Sequence, residues 1–183
     1  MSNSEIAVVY RSKSGYTKKY AEWLAEALSC DRIEATDICA NDLLSYRTII
    51  YGGGLYMSGI QGLKRFLKMM DKVADINLIV FAVGATPVRQ ATTDELFALN
   101  FTPEQQKKIA FFYLRGGFEY ARLTRIDKVL MTLLKVKLKN TKNPSPDDKG
   151  LLAAYEHPMD FTRKDKIAPI VAYVREKTVS TNE

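Results

Sequence analysis

Ile6-Ala7-Val8-Val9-Tyr10-Arg11-Ser12-Lys13-Ser14-Gly15-Tyr16-Thr17 begins as an apolar run and gives way after Tyr10 to hydroxyls around one glycine. Tyr20, Ala21, Leu24, Ala27 and Leu28 follow at helical spacing. A buried strand, a short hydroxyl-bearing loop and an amphipathic helix in that order make an anion cradle. The helix N-terminus carries about half a positive charge, and Gly15 lets the backbone turn sharply and approach an anion. Three other phosphate loops fit worse. The dinucleotide pattern needs glycines absent here, and a Walker A loop would place Lys where Tyr16 stands. A phosphatase loop needs a cysteine nucleophile, and neither Cys30 nor Cys39 lies in this stretch. The plainer alternative is an ordinary strand-to-helix turn capped by Ser and Thr.

Outward from this stretch, strands and helices alternate. Residues 31–35 read as a weak edge strand, 38–44 as a short helix and 48–51 as a strand. Gly52-Gly53-Gly54-Leu55-Tyr56-Met57-Ser58-Gly59 reads as a loop, followed by a helix from about Ile60 to Met70. Residues 76–83, apolar almost throughout, read as a central parallel strand covered on both faces. Gly84-Ala85-Thr86-Pro87-Val88-Arg89 forms the next loop, then short helical pieces over 95–100 and 103–107, then a fifth strand over 109–114. This order predicts an α/β fold: a doubly wound, five-stranded parallel sheet with helices on both faces, in one domain over residues 1–183. Ligands of such folds sit beyond the carboxyl ends of the strands. Loops 11–17, 52–59 and 84–89 all leave carboxyl ends, and all carry glycine.

The 183 residues are 46% hydrophobic, enough for a substantial core, and carry a formal charge of +6. That charge favours anionic partners: phosphates, acidic lipid surfaces, nucleic acid or carboxylated substrates. Two cysteines are too few for a disulfide framework, so unpaired thiols and a reducing, cytoplasmic compartment are expected. The N-terminus lacks a signal-peptide pattern, and no run approaches membrane-spanning length.

Between the fifth strand and the closing helix, about residues 118–161 form an insertion. Within it residues 122–139 read as a helix, with Ile126, Leu130, Leu133, Leu134 and Leu138 on one side and Arg125, Lys128, Lys135 and Lys139 opposite. Residues 122–142 hold seven basic side chains against Asp127 alone, a balance equal to the +6 of the whole chain. The apolar face either packs on the domain or meets a lipid surface, a quinone or a partner, in the first case leaving a solvated basic face. His157, the one histidine, precedes Pro158 in a loop and reads as incidental. The closing helix starts near Thr162 with a Thr162/Asp165 capping box. Pro169 kinks it or delays its start, Ile167, Ile170, Val171 and Val174 form its buried face, and 178–183 is a polar tail.

Ser12-x-Ser14-Gly15-x-Thr17 after a first strand resembles the phosphate loop of the flavodoxins. Residues 111–120, with Asp127-Lys128-x-Leu130-Met131 and the lysine-rich helix end, resemble the menaquinone-dependent protoporphyrinogen oxidase branch of that family. The resemblance spans nearly the whole chain. It departs at 84–89, which does not match the oxidase pattern closely, and at Lys13, where flavodoxins usually have threonine. It implies FMN as cofactor, with the phosphate held by Ser12, Ser14, Gly15, Tyr16 and Thr17. The ring would be held by Gly53, Gly54, Leu55, Tyr56 and Met57 on one side and Gly84, Ala85, Thr86 and Pro87 on the other. It also implies an oxidoreductase passing electrons from a porphyrinogen-type substrate to a quinone, with peripheral membrane contact through 122–139 and no nucleic-acid partner. No residue stands out as a catalytic acid or base, and no metal ligands are assigned. Two other classes stay open: a soluble electron carrier without its own substrate, and a phosphate-binding regulatory domain. The last would leave both ring loops unexplained and would carry an acidic metal cluster, whereas the first strand ends Val9-Tyr10-Arg11.

Overall fold

The computed structural model describes residues 5–36, 38–56, 58–71, 73, 76–119, 125–141, 143, 144, 146, 149, 150, 152, 155 and 158–180. In chain order the elements are β1 (Ile6–Arg11), α1 (Tyr16–Leu28), β2 (Asp31–Glu34), β3 (Thr48–Tyr56), β4 (Gly59–Ile60) and α2 (Leu63–Met70). There follow β5 (Asn77–Gly84), α3 (Gln90–Asn100), α4 (Pro103–Gln106), β6 (Ala110–Arg115), β7 (Gly117–Phe118), α5 (Arg125–Lys139), β8 (Met159–Asp160) and α6 (Ala168–Ser180). Five strands pair in parallel in the order β2-β1-β3-β5-β6, the doubly wound sheet expected from the alternation. The sheet order turns back at β1, so the carboxyl ends of β1 and β3 flank the switch point.

Side-chain alternation along the strands makes two cores. Val8, Tyr10, Ile50, Ile79, Phe81 and Val83 pack against α1 and α6 through Tyr20, Leu24, Ile170 and Val174. Val9, Ile49, Tyr51, Val80 and Ala82 pack against α2 and α3 through Leu63, Phe66 and Leu96. Both faces of β1, β3 and β5 are therefore covered, which is why these strands read as unbroken apolar runs. β2 alternates half-buried and exposed residues, as an edge strand should.

Several boundaries differ from the expectation. Residues 52–56 are not loop: β3 runs on through the three glycines to Tyr56 and folds back as a hairpin, Leu55 opposite Ile60 and Tyr56 opposite Gly59. Glycine-rich sequence hides this, because the strand there is held by its neighbours and not by side-chain propensity. α2 consequently starts at Leu63, after Gly62 in the left-handed conformation (φ 77°). α3 is one 11-residue helix, and the expected helix over 38–44 is a single tight turn, Ala40–Leu43. Beyond β6 the chain adds an unforeseen two-stranded antiparallel pair, Gly117 opposite Asp160 and Phe118 opposite Met159.

The Thr162/Asp165 capping box does not form. The Thr162 hydroxyl donates to Asp160 Oδ1 at 2.6 Å, and Asp165 pairs with Arg163. Pro169 delays the closing helix: a short turn, Lys164–Ile167, precedes α6.

The insertion helix follows its expected face only in part, with Leu134 half-buried. Leu138 is buried at 8% exposure, whereas Leu133 is 64% exposed beside Val129 (64%) and Val136 (54%). The side chains of Ile126 and Leu130, and all of His157, lie outside the described residues.

Candidate functional site

The site is built on the end of β1. Gly15 adopts φ 91°, a left-handed conformation that only glycine takes without strain, and it caps α1 with no side-chain cap of its own. Its amide donates to Ser12 Oγ at 3.1 Å, folding the loop back on itself. The first turn of α1 contains no acidic residue, so no side chain of that turn neutralises the positive end of the helix dipole. Thr17 points inward at 2% exposure.

Thr17 faces β3, where the three glycines have three separate roles. A Cβ on Gly52 would enter the ring of Phe81, its register partner on β5, so this glycine belongs to the core. A Cβ on Gly53 would run into the Ile60 side chain, so this glycine lets the hairpin close. A Cβ on Gly54 would lie 3.5 Å from both Thr17 Oγ1 and Gln61 Nε2, an ordinary contact. Gly54 therefore lets β3 pass close to α1 and the hairpin at Thr17 and Gln61. Beside it the Gln61 Oε1 atom is buried without a hydrogen-bond partner among the described residues. Tyr56 stands at the rim, 39% exposed, with Lys13 Nζ 5.0 Å from its ring centre. Leu55 is half-buried against Gly84.

Loop 84–87 is fixed by β6. Tyr113 donates its hydroxyl to the Thr86 carbonyl at 2.8 Å, and Arg115 Nε donates to the Ala85 carbonyl at 3.2 Å. The Arg115 guanidinium lies 3.6 Å above the Phe161 ring, tying this loop to the end of the insertion. Burial pushes the Tyr113 hydroxyl pKa up, so it remains a donor.

Asn100, at the end of α3, holds the hairpin from outside. Its Oδ1 accepts from Ile60 N at 2.9 Å, and its Nδ2 donates to the Ser58 carbonyl at 2.8 Å and the Leu96 carbonyl at 2.9 Å. Asn100→Ala is expected to lower stability by about 1–3 kcal/mol, since it leaves a half-buried amide and carbonyls without partners. Hydrogen exchange at Ile60 and Gln61 should rise more than at β1 amides; uniform exchange across the sheet would count against this tether.

A cleft of about 280 Å³ runs from Ser14, Gly15 and Tyr16 past Lys19 to Glu119 and Pro158–Asp160. The far wall is the returning insertion, clipped to α1. Tyr16 donates to the Met159 carbonyl at 3.3 Å and Lys19 pairs with Asp160 at 2.9 Å, while Tyr20 ties α1 to the end of β6 by donating to the Arg115 carbonyl at 2.7 Å. Burial alone would push the Asp160 carboxyl up, but hydrogen bonds from Thr162 and Lys19 outweigh it and lower its pKa. A lowered carboxylate pKa stabilises the fold above the ordinary carboxylate value, and that contribution is lost as pH falls through the lowered one.

The structure thus brings Ser12, Ser14, Gly15 and Thr17 to one helix end, with Gly54, Leu55, Tyr56, Gly84, Ala85, Thr86 and Pro87 around the neighbouring strand ends. It turns the Tyr16 ring away, against Gly116 and Gly117, so Tyr16 presents backbone to the loop. Gly53 serves the hairpin, and Met57 lies outside the described residues. Sequence reasoning missed Gln61, Asn100, Tyr113 and Arg115, which have no motif; only the position of the last two at the end of a predicted strand hinted at them. Cys30 and Cys39 are unpaired thiols, and burial pushes the Cys30 pKa up to about 11. Among the described residues no cluster of His, Cys, Asp and Glu could hold a metal. A phosphate tail suits the hydroxyl-lined helix end, and a flat ring suits the neighbouring strand ends, where Leu55, Tyr56 and residues 84–87 are half-buried or exposed. FMN has both parts, so the residues present fit it.

No curated protein sequence matches the chain significantly. Solved structures similar to it include oxidised flavodoxin 2 from Bacillus cereus, 19% identical over 60% of this chain and 84% of that one, TM-score 0.42. Two-electron reduced flavodoxin from Megasphaera elsdenii is 14% identical over 59% and 84% of the two chains, TM-score 0.44. The flavodoxin, WrbA-like protein from Agrobacterium tumefaciens is 21% identical over 57% and 74%, TM-score 0.41. The sequence profile described as the flavodoxin domain matches residues 7–145, from β1 through the insertion helix, and the chain belongs to the flavodoxin domain family.

Proposed function

We propose that this chain is an FMN-dependent oxidoreductase that takes electrons from a reduced porphyrinogen-type substrate and passes them to a quinone. The observation that carries the cofactor is the α1 helix end, capped by left-handed Gly15 among Ser12, Ser14 and Thr17 and without a first-turn acid. Bound FMN supplies the electron and hydride chemistry. The chain supplies the rest. Ser12, Ser14 and Thr17 offer hydroxyls to the phosphate, and the α1 dipole favours its charge. Leu55 and Tyr56 flank the ring on one side and residues 84–87 on the other, the latter fixed by Tyr113 and Arg115. Lys13 at the rim adds a positive charge that favours electron density on a bound ring.

Ser14→Ala and Thr17→Ala are each expected to weaken FMN binding by about 1–3 kcal/mol, the usual cost of losing a hydrogen bond to a charged group. Flavin fluorescence quenching measures this, and unchanged affinity in both variants would move the phosphate elsewhere. Support for the porphyrinogen and quinone assignment comes from the resemblance at residues 111–120 and from the basic insertion. Its test is anaerobic turnover of protoporphyrinogen with a menaquinone analogue. Oxidation faster than the free-flavin background is expected. FMN binding without such turnover would favour the second reading, an electron carrier without its own substrate.

A further inference from the structure

Val129, Leu133 and Val136 stand at i, i+4 and i+7 on α5, and all three are more than half exposed. Helical spacing puts them in one stripe, flanked by the exposed Lys139 on one side and Lys137 on the other, while Lys128 and Lys135 are half-buried and the Lys135 ammonium lies 5.1 Å from the Tyr155 ring centre. The opposite face of α5 is already used. Leu138 is buried, and Tyr155 donates its hydroxyl to the Met131 carbonyl at 2.6 Å while its ring meets Phe118 edge-on at 5.5 Å. α5 is therefore anchored by one face and presents a second apolar face outward, rimmed by lysines. Single exposed apolar residues are ordinary, but an apolar stripe bordered by like charges on an anchored helix is not needed for packing. The 122–142 segment also carries a charge balance equal to that of the entire chain. No described helix is long and apolar enough to cross a membrane.

We propose that the outer face of α5 docks on an anionic lipid surface. Val129, Leu133 and Val136 would enter the boundary between headgroups and acyl chains, and the flanking lysines would sit among the anionic headgroups. Charge complementarity selects this occupant: a second copy of the same face would bring lysines against lysines. The proposal does not depend on the bound cofactor.

The test is co-sedimentation of the full chain with vesicles of phosphatidylglycerol and phosphatidylcholine, compared with phosphatidylcholine alone. Binding is expected only to the anionic vesicles, and it should disappear at about 1 M salt, where the Debye length is about 3 Å. Lys137→Gln with Lys139→Gln should lower binding roughly tenfold to thirtyfold. Leu133→Ser with Val136→Ser should abolish it. Both side chains are exposed, so the thermal melt should be unchanged, and that melt separates loss of docking from loss of fold. Equal binding to neutral vesicles, no binding at low salt, or full binding by the folded Leu133→Ser/Val136→Ser variant would overturn the proposal. A dimer in light scattering that the same variant dissolves would overturn it too, by assigning the face to a second copy.

Discussion

Gly54→Leu is expected to reduce FMN affinity by at least roughly a hundredfold, about 2.7 kcal/mol, while the protein stays folded. The nearest atoms to the first carbon of a new side chain here are Thr17 Oγ1 and Gln61 Nε2 at 3.5 Å and Gln61 Cδ at 3.8 Å, all ordinary contacts with side chains. The branched end of leucine must then project past Thr17 and Gln61 over the strand ends proposed to hold the ring. Gly54→Ala makes the internal comparison, since one methyl group should cost far less than the isobutyl group. Isothermal titration of both variants with FMN checks the series. Nearly equal affinity for the parent protein, Gly54→Ala and Gly54→Leu would mean that the ring lies elsewhere.

Two residues earlier the same kind of change should act on stability instead. Gly52→Ala places a carbon within the ring of Phe81, which is fully buried in the central strand and cannot swing outward. Overpacking of this kind costs about 1–3 kcal/mol, and the absence of any open side puts Gly52→Ala at the upper end. For a chain of this length that lowers the melting temperature by roughly 6–12 °C. Adding Phe81→Leu should recover part of the loss, because the shorter side chain leaves room for the methyl group, and a double-mutant cycle measures that coupling. An unchanged melt for Gly52→Ala would show that Phe81 has another place to go. The two predictions together separate neighbouring glycines that look identical in sequence.

That separation marks where sequence reading reaches its limit. Strand alternation and the run 76–83 revealed the parallel sheet, because burial on both faces leaves a direct trace in residue type. The hydroxyl-bearing turn around Gly15 was equally visible, since its residues are contiguous in the chain. The hairpin was not, because β3 beyond Tyr51 is held by pairing with β1, β5 and β4, most of it distant in sequence. Gln61, Asn100, Tyr113 and Arg115 contribute to the site one by one from separate elements, and such residues have no local pattern. The insertion helix shows the same limit in another form. Its apolar residues surround too much of the helix for periodicity to say which face is covered, and the structure buries Leu138 while exposing Leu133.

That the ends of β1, β3 and β5 form one site for FMN is tested most directly by titrating the purified protein with FMN and, separately, with FAD, followed by flavin fluorescence. Extraction and chromatography of any flavin that copurifies complete the measurement. Saturation at one FMN per chain is expected at micromolar concentration or below, with FAD binding more weakly because the cradle serves a single terminal phosphate. Stoichiometric FAD in the extract, or no saturable binding of either flavin, would contradict it.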